Sequence, residues 1–268
     1  AAMAVAEAAR NLVCSGARPL ALTDCLNFGN PERPDVFWQF REAVAGMSEA
    51  CRALGIPVIS GNVSFYNETG TSAILPTPVV GMVGVMDNLS HVCRQGFITS
   101  GDSIVLLGGC TEELGGSVYV HMVTGRTEGP APMLDLERER LVQSVCLSGI
   151  TSGIIRSAHD VSEGGLAVTL AESCIAGDVG ARISLPEGRR VDALLFGEAP
   201  SRIVVSVAPG NLCALMELAR TVGVPATLLG HVAGSELTLE VGGQLLVQGL
   251  VADLADAWRG TLPTVMST

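Results

Sequence analysis

The sequence predicts an α/β (α+β) protein of two domains, and three observations support this. Short apolar runs recur along the chain, at residues 79–86, 104–107 and 203–207. Runs of this length are typical of strands whose sheet is covered by helices. Longer segments with apolar residues at helical spacing lie between such runs. The 268 residues are enough for two modest domains, each with a core.

The first half alternates helices and strands, which predicts an N-terminal α/β domain over residues 1–96. Its opening helix has no strand before it, so we expect this domain to be truncated at its start. Val36, Met47 and Cys51 lie on one face of a long helical pattern that Gly55 ends. The predicted elements are a helix over 2–15, a strand over 19–23, a polar loop over 24–34, a helix over 35–54, and strands over 58–63 and 77–86.

A domain boundary is predicted near residues 94–101, because the Gly101-Asp102 turn opens a second α/β unit. This gives a C-terminal α+β domain over residues 97–268. Gly242-Gly243 predicts a hairpin turn between the last two strands. Helices are predicted over 112–120, 135–150, 164–176, 209–222 and 249–258, and strands over 103–108, 155–159, 201–207, 227–232, 236–241 and 244–247.

Composition excludes several classes of function. The net charge is −11, the opposite sign from that of a general nucleic-acid binder. No apolar run is long enough to span a membrane, and the N-terminus lacks the basic start of a signal peptide. The eight cysteines form no C-x-x-C pair, which favours reduced, buried thiols in a cytoplasmic protein. All sixteen cations are arginine, so any phosphate must be bound without lysine.

Two polar segments follow strands of the first half, where ligand sites of α/β proteins concentrate. In the first, the Asp24 carboxylate could hold Mg²⁺ or contact a nucleotide, or it could close an Asx-turn. In the second, Gly61 permits close approach to a ligand, and Asn62 offers an amide oxygen that suits Mg²⁺. Ser64 shares a face with Asn62 in an extended segment. The residue types leave a binding site and plain turn structure both open.

Two weaker segments lie in the second half. Gly164 and Gly165 open a helix after Asp160, which makes a candidate anion site, although simple N-capping by Ser162 explains the pattern at least as well. Further along, Arg202 could meet a phosphate, or it could pair with Glu198. These five candidates, Asp160, Gly164, Gly165, Glu198 and Arg202, are the weaker part of the predicted site.

Five motifs in order resemble one family: TDCLNFGNPERP, SGNVSFYNE, PTPVVGMVG, HDVSEGGLAV and FGEAPSR. They are similar to the C-terminal half of the synthetase subunit of formylglycinamide ribonucleotide amidotransferase (phosphoribosylformylglycinamidine synthase, subunit II). The resemblance covers residues 4 to 258. It implies membership of the aminoimidazole ribonucleotide synthetase-like superfamily, in which a dimerising α/β domain precedes an α+β domain.

The resemblance also implies an activity, an ATP-dependent C–N ligation in purine biosynthesis. ATP would activate the formamide oxygen of formylglycinamide ribonucleotide as an iminophosphate, which ammonia would displace. Asp24 and Gly61 match ATP contacts of the family, Asn62 a Mg²⁺ ligand and Ser64 a substrate contact. The family's catalytic histidine and lysine belong to the first half, so no catalytic residue is expected here. The implied partners are that missing N-terminal half, a glutaminase subunit, a small bridging subunit and, for a homodimer, a second copy of the fragment.

Three hypotheses remain open from the sequence. The chain could complete a composite active site, and it would then be inactive alone. It could instead be a scaffold half that supplies a dimerisation surface and at most a structural nucleotide site. A sister enzyme of the same fold is disfavoured by the SGNVSFYNE segment. The first hypothesis carries a geometric expectation, that Asp24 and Asn62 converge on one magnesium–nucleotide pocket.

Overall fold

A computed structural model describes residues 1–70 and 72–266 of the chain. The helices are α1 (Ala2–Cys14), α2 (Pro34–Leu54), α3 (Val118–Thr124), α4 (Leu136–Thr151), α5 (Gly165–Gly177), α6 (Val191–Phe196), α7 (Leu212–Val222) and α8 (Val251–Met266). The strands are β1 (Arg18–Asn27), β2 (Val58–Ser64), β3 (Glu68–Thr69), β4 (Ser72–Ala73), β5 (Thr77–Val85), β6 (Ser103–Leu107), β7 (Ile155–Asp160), β8 (Ala181–Leu185), β9 (Ile203–Val207), β10 (Ala226–Val232), β11 (Glu236–Val241) and β12 (Gln244–Leu250).

The first half is a three-stranded sheet covered on one face by α1 and α2. The strand order is β2-β1-β5, with β1 parallel to β2 and antiparallel to β5. Leu22, Leu26 and Phe28 turn toward the helices and pack against Val5 and Met47. Removing such side chains from water is the main force that holds helices on a sheet. The opposite face is open.

Exposed side chains mark this open face. Along β5, exposed and partly buried residues alternate, as expected of a strand with one covered face. Val79 and Val83 are 51% and 57% exposed. Exposed apolar residues on one sheet face are typical of a surface that associates with something else.

The second half is a seven-stranded sheet in the order β12-β11-β8-β10-β6-β9-β7. Neighbouring strands are antiparallel, except β11 and β8, which are parallel. Along β6, Ile104 and Leu106 join a core with α5, while Val105 and Leu107 join a second core with α4 and α7. Because both faces of the sheet are covered at β6, its residues 104–107 are continuously apolar, as the sequence predicted.

Helix α1 packs against both halves. Its start contributes Val5 to the core of the first sheet, and its end contributes Val13 and Cys14 to a core of the second. Between these, the Arg10 guanidinium lies 2.8 Å from a carboxylate oxygen of Glu139 on α4, and both side chains are almost fully buried. Since apolar packing and a buried ion pair both cross from α1 to the second half, the two halves share an extensive contact.

Most predicted elements are present, with four differences. The loop predicted from residue 24 begins later, because β1 pairs with β2 and β5 as far as Asn27. The helix predicted over 112–120 is found further along the chain, at α3 (Val118–Thr124). Strands β3, β4 and β8 and helix α6 were missed, because each is short and carries polar residues. The last predicted helix starts as expected but extends to Met266, and residues 267 and 268 of the predicted C-terminal domain lie outside the described residues.

Five of the eight cysteines are buried: Cys14, Cys51, Cys93, Cys146 and Cys174. Burial raises the pKa values of the Cys93 and Cys174 thiols to about 12. These thiols are therefore protonated at neutral pH and poor nucleophiles. No helix within residues 1–70 and 72–266 is long and apolar enough to cross a membrane.

Candidate functional site at the strand ends of the first sheet

Asp24 and Gly61 are neighbours on parallel strands, on the sheet face that carries the helices. They pair directly in the β1–β2 register. A Cβ atom on residue 61 would lie 2.5 Å from the nearer Asp24 carboxylate oxygen, so only glycine leaves room for that carboxylate. Desolvation raises the pKa of the Cys51 thiol on α2, and the nearby half-buried Asp24 carboxylate raises it further. The Asp24 carboxylate thus lies directly against Gly61 on this face of the sheet.

Asn62 and Ser64 lie on the open face of the same sheet. In register they pair with Cys25 and Asn27, so these four side chains form a polar patch on that face. The Asn62 amide oxygen is 3.9 Å from the Cys25 sulfur, a weak contact that leaves the oxygen available. Asn27 donates from its amide to the carbonyl of Thr77 at 3.3 Å, which ties the patch to β5.

The expectation that Asp24 and Asn62 converge on one pocket is wrong. Successive residues of a strand point to opposite faces. Asp24 pairs with Gly61, one residue before Asn62, so the Asp24 and Asn62 side chains lie on opposite faces of the sheet. Strand β2 is an edge strand. The two side chains can therefore meet a common ligand only where that ligand passes round the free edge of β2.

Asp24 also does not lie in a loop, as the sequence suggested. It is inside β1, between Leu22 and Leu26, which are buried in the core. The alternative role in an Asx-turn is thereby removed, because such a turn needs the residue to begin a chain reversal. The predicted polar loop starts at Phe28 instead, where β1 ends.

The loops that follow β1 and β2 are joined by an amide and a carboxylate. Asn67 donates to the carbonyl of Phe28 at 3.0 Å, and the Glu68 carboxylate accepts the backbone N–H of Asn30 at 3.0 Å. Tyr66 has φ +58°, a conformation that few residues other than glycine adopt. The sequence placed these residues in a motif without assigning a role to any of them, and only the fold brings the two loops together.

The weaker anion-site candidate is occupied by the chain itself. Gly164 and Gly165 have φ +77° and +67° and open α5, as the glycine pair predicted. The Glu198 carboxylate accepts the N–H of Gly164 at 2.8 Å and that of Val118 at 2.9 Å. Since Glu198 supplies the negative charge that a helix start attracts, this turn is satisfied internally.

Arg202 and Asp160 are likewise satisfied within the fold. Arg202 is 1% exposed and donates to the carbonyls of Gly197 and Ala199. Burial lowers its pKa to about 10. No hydrogen bond or ion pair joins Arg202 to Glu198 in the described residues, so the predicted pairing is not formed. Asp160 lies 3.9 Å from the Arg10 guanidinium and accepts from the Asn11 amide at 2.8 Å.

A buried charge cluster near these residues was not predicted. Arg10 donates to both oxygens of Glu139, which also accepts from Ser201 and Gln143. Glu139 is 0% exposed, and the two charges are 129 positions apart. An arginine on the apolar face of a helix is the signal that could have indicated this pair, but the sequence gives no means of naming its partner.

Comparison with known proteins defines the class to which the chain belongs. The family described as AIR synthase related protein matches twice, with its N-terminal domain at residues 1–86 and its C-terminal domain at residues 99–242. The chain belongs to this family, and the predicted two-domain fold class is confirmed.

Individual relatives show which members of this family the chain resembles. The chain is 50% identical over 266 residues to the phosphoribosylformylglycinamidine synthase subunit PurL of Moorella thermoacetica, and 46% identical to that of Alkaliphilus metalliredigens. Each alignment covers 99% of this chain and 36% of the relative. The resemblance drawn from the five motifs is thereby confirmed, and the chain spans about a third of the length of the relatives it matches.

Solved structures agree on the fold. PurL of T. maritima complexed with FGAR superposes with a TM-score of 0.77 at 20% identity, covering 95% of this chain and 42% of that one. T. maritima PurL complexed with ATP gives 0.74 at 19% identity, covering 95% and 40%. A HypE–HypF complex gives 0.71 at 18% identity, covering 93% and 82%. The same fold therefore occurs in more than one kind of protein.

Proposed function

We propose that this chain is the second half of an ATP-dependent C–N ligase in purine biosynthesis. The ligase would convert formylglycinamide ribonucleotide, ATP and ammonia into formylglycinamidine ribonucleotide. The observation that carries the proposal is the position of Asn62 and Ser64 on a sheet face that the described part of the chain leaves uncovered. Residues that match a family's binding motif but lie on an open surface need a second body to close the site.

The chemistry explains why such an enzyme needs ATP. An amide carbonyl is a poor electrophile, and its oxygen is a poor leaving group. Transfer of the γ-phosphoryl group to that oxygen gives an iminophosphate, from which ammonia displaces phosphate to leave an amidine. Positioning and charge stabilisation supply most of the catalysis in phosphoryl transfer. In this proposal the chain provides positioning groups, and the acid–base residues belong to the companion half.

Each residue has a role that follows from its face of the sheet. Asp24 lies against Gly61 on the helix-bearing face, where the carboxylate can accept hydrogen bonds from the nucleotide. Asn62 and Ser64 face the reacting groups on the open side. Since the two pairs lie on opposite faces, ATP would pass round the free edge of β2 and so contact both.

The donor set fits Mg²⁺ only in part. Asn62 offers a hard amide oxygen, which would hold the ion, and the ion would neutralise phosphate charge. Residues 1–70 and 72–266 contain no group of three or more His, Cys, Asp or Glu side chains arranged to hold a metal. The remaining ligands would come from phosphate oxygens, water and the companion half. Because the chain has no lysine, any lysine that contacts the phosphates would also come from the companion half.

The proposal includes the environment of the complete enzyme. A glutaminase subunit would supply the ammonia, and a small bridging subunit would connect it to the synthetase. One solved relative, PurLQS of T. maritima, is such a multi-subunit assembly by name. The reaction would take place in the cytoplasm, and no nucleic acid or membrane would take part.

A chimeric subunit tests the proposal. This chain would replace the matching segment of the Moorella thermoacetica subunit, to which it is 50% identical. With ammonium chloride as the nitrogen source, we expect release of phosphate that depends on formylglycinamide ribonucleotide, whereas the chain alone should give none. A chimera that folds and binds ATP but gives no product, next to an active parent subunit, would refute the assignment.

A scaffold role is the second candidate. The exposed Val79 and Val83 on the open face favour it, because a dimerisation surface needs only apolar contact. Under this alternative the chimera would remain active when Asn62 and Ser64 are replaced by alanine. The same chimera therefore separates the two functions.

A further inference from the structure

The Asn67 side chain makes hydrogen bonds near the ends of both β1 and β2. Its side-chain amide nitrogen lies 3.0 Å from the carbonyl of Phe28 and 2.9 Å from the carbonyl of Ser64. Its amide oxygen lies 3.3 Å from the Ser64 hydroxyl. The backbone N–H of Asn67 also donates to Phe28. One half-buried side chain thus contacts the ends of both β1 and β2.

These contacts fix which way the amide group faces. Carbonyl oxygens only accept hydrogen bonds, so the two carbonyls must face the NH₂ group of Asn67. The amide nitrogen also lies 3.2 Å from the Ser64 hydroxyl oxygen, but its two hydrogens are taken by the two closer carbonyls, so the amide oxygen is left to accept the hydroxyl hydrogen of Ser64. A hydroxyl has one hydrogen and two lone pairs. With its hydrogen engaged by Asn67, the Ser64 hydroxyl presents itself as a hydrogen-bond acceptor.

The surrounding loop holds this arrangement in place. The N–H of Tyr66 donates to Gly29, and Glu68 accepts from Asn30 at 3.0 Å. A Cβ atom on residue 29 would lie 2.6 Å from the Cβ of Ala73, so glycine lets the hairpin of β3 and β4 pack over the loop. Asn67 is therefore held from both sides and does not reorient freely.

We propose that Asn67 is a positioning residue for the ligation site, acting through Ser64. It orients the Ser64 hydroxyl to accept a hydrogen bond from an N–H or O–H group of the ribonucleotide substrate. The inference rests on the proposed function, in which Ser64 contacts the substrate. A group that acts only through Ser64 should affect substrate binding and leave the ATP requirement unchanged.

A double-mutant cycle in the chimeric subunit tests this role. Ser64→Ala and Asn67→Ala should each raise KM for formylglycinamide ribonucleotide roughly tenfold, with KM for ATP within about twofold, since one oriented hydrogen bond is lost in either case. The double variant should be no worse than Ser64→Ala alone, because Asn67 has nothing left to orient. Asn88→Ala is the matched control, since Asn88 also caps a turn through its side chain but lies beyond the opposite end of β5.

The outcomes separate the two hypotheses. Additive losses in the double variant, or an equal rise in both KM values for Asn67→Ala, would overturn the positioning role and leave the proposed function intact. A normal KM for Ser64→Ala would overturn both. Hydrogen exchange of the chain itself gives an independent result. Asn67→Ala should speed exchange at the amides of residues 28–30 and 64–67 alone, and unchanged exchange there would contradict the proposal.

Discussion

Two sites of this molecule combine glycine with polar side chains near strand ends. They differ in whether the chain itself satisfies the hydrogen bonds of those polar groups. At the ends of β1 and β2, the polar side chains of Asn62 and Ser64 lie on an open face and keep bonding capacity to spare. At the start of α5, Glu198 fills the turn formed by Gly164 and Gly165 with its own carboxylate. Similar residue types thus form an available site in one half and a self-satisfied structural junction in the other.

The difference teaches where to look for ligands. A buried polar group must find a partner, and if the chain supplies one, no ligand is needed. Arg10, Glu139 and Arg202 are all nearly inaccessible and bonded within the fold. Groups at the first site face outward and are bonded weakly. Substitutions should therefore lower stability at the second site and activity at the first.

The largest effect is expected from Arg10→Met. This change leaves the Glu139 charge buried without its partner, and breaking a buried pair costs about 3–5 kcal/mol of unfolding free energy. Urea denaturation followed by circular dichroism measures the loss. Replacing both residues by Met should restore part of the loss, because neither member of the pair then leaves the other as an unpaired charge, while Asp160 keeps its hydrogen bond from Asn11. A single variant within about 1 kcal/mol of the parent chain would mean that the pair does not stabilise the junction of the two halves.

Asn62→Ala should give the next effect, on catalysis alone. Loss of the oxygen that we propose to bind magnesium should lower kcat/KM of the chimeric subunit about 100-fold, while its urea midpoint stays unchanged. Asp24→Ala should act similarly through ATP. Steady-state kinetics with Asn88→Ala as control measures the difference. Unaltered kinetics for both variants would favour the scaffold role and remove the contrast between the two sites.

Local pattern was enough to predict much of the fold. Helix α2 was predicted from the spacing of Val36, Met47 and Cys51, and it ends at Gly55 with φ +68°. The hairpin of β11 and β12 was predicted from Gly242-Gly243, and both glycines have positive φ. In each case the signal lies within a few residues, so neighbours in sequence suffice to define it.

The site was harder to predict from the sequence, because its geometry depends on pairing between distant strands. Nothing near Asp24 indicates that β1 continues past it, since that continuation is set by β2 and β5. The same register decides that Asp24 and Asn62 face opposite sides, which overturned the predicted single pocket. The Arg10–Glu139 pair spans 129 positions and shows the same limit. Residue types identified the candidates, and register decided their arrangement.

A smaller effect on stability is expected from Glu198→Ala. The N–H groups of Gly164 and Val118 would lose their acceptor, which costs about 1–3 kcal/mol when a donor stays unsatisfied. Glu198→Gln keeps an amide oxygen at this position and should lose less. Urea denaturation of both variants makes the comparison. Equal losses would mean that the carboxylate's charge, and not its role as acceptor, stabilises the helix start.

The smallest effect concerns Asp102, a buried acid whose partners are incomplete. One of its oxygens accepts from Arg156 at 2.7 Å, while the other is buried without a hydrogen bond. Desolvation raises the pKa of Asp102, although Arg156 opposes this. A raised pKa means that the folded state binds the proton more tightly than the unfolded state, for which the value is about 3.9. Protonation of Asp102 therefore stabilises the fold.

This stabilisation is complete below the unfolded-state pKa and is lost as pH rises through the folded-state pKa. Asp102→Asn does not titrate, so the unfolding free energy of the parent chain minus that of the variant should fall with rising pH across this window, by about 1 kcal/mol or less. Asp192 is the matched control with the opposite sign, since its hydrogen bond to Arg190 lowers its pKa. For Asp192→Asn the same difference should rise with pH. Parallel urea titrations of the two variants measure both slopes, and slopes of the same sign would show that burial does not govern Asp102.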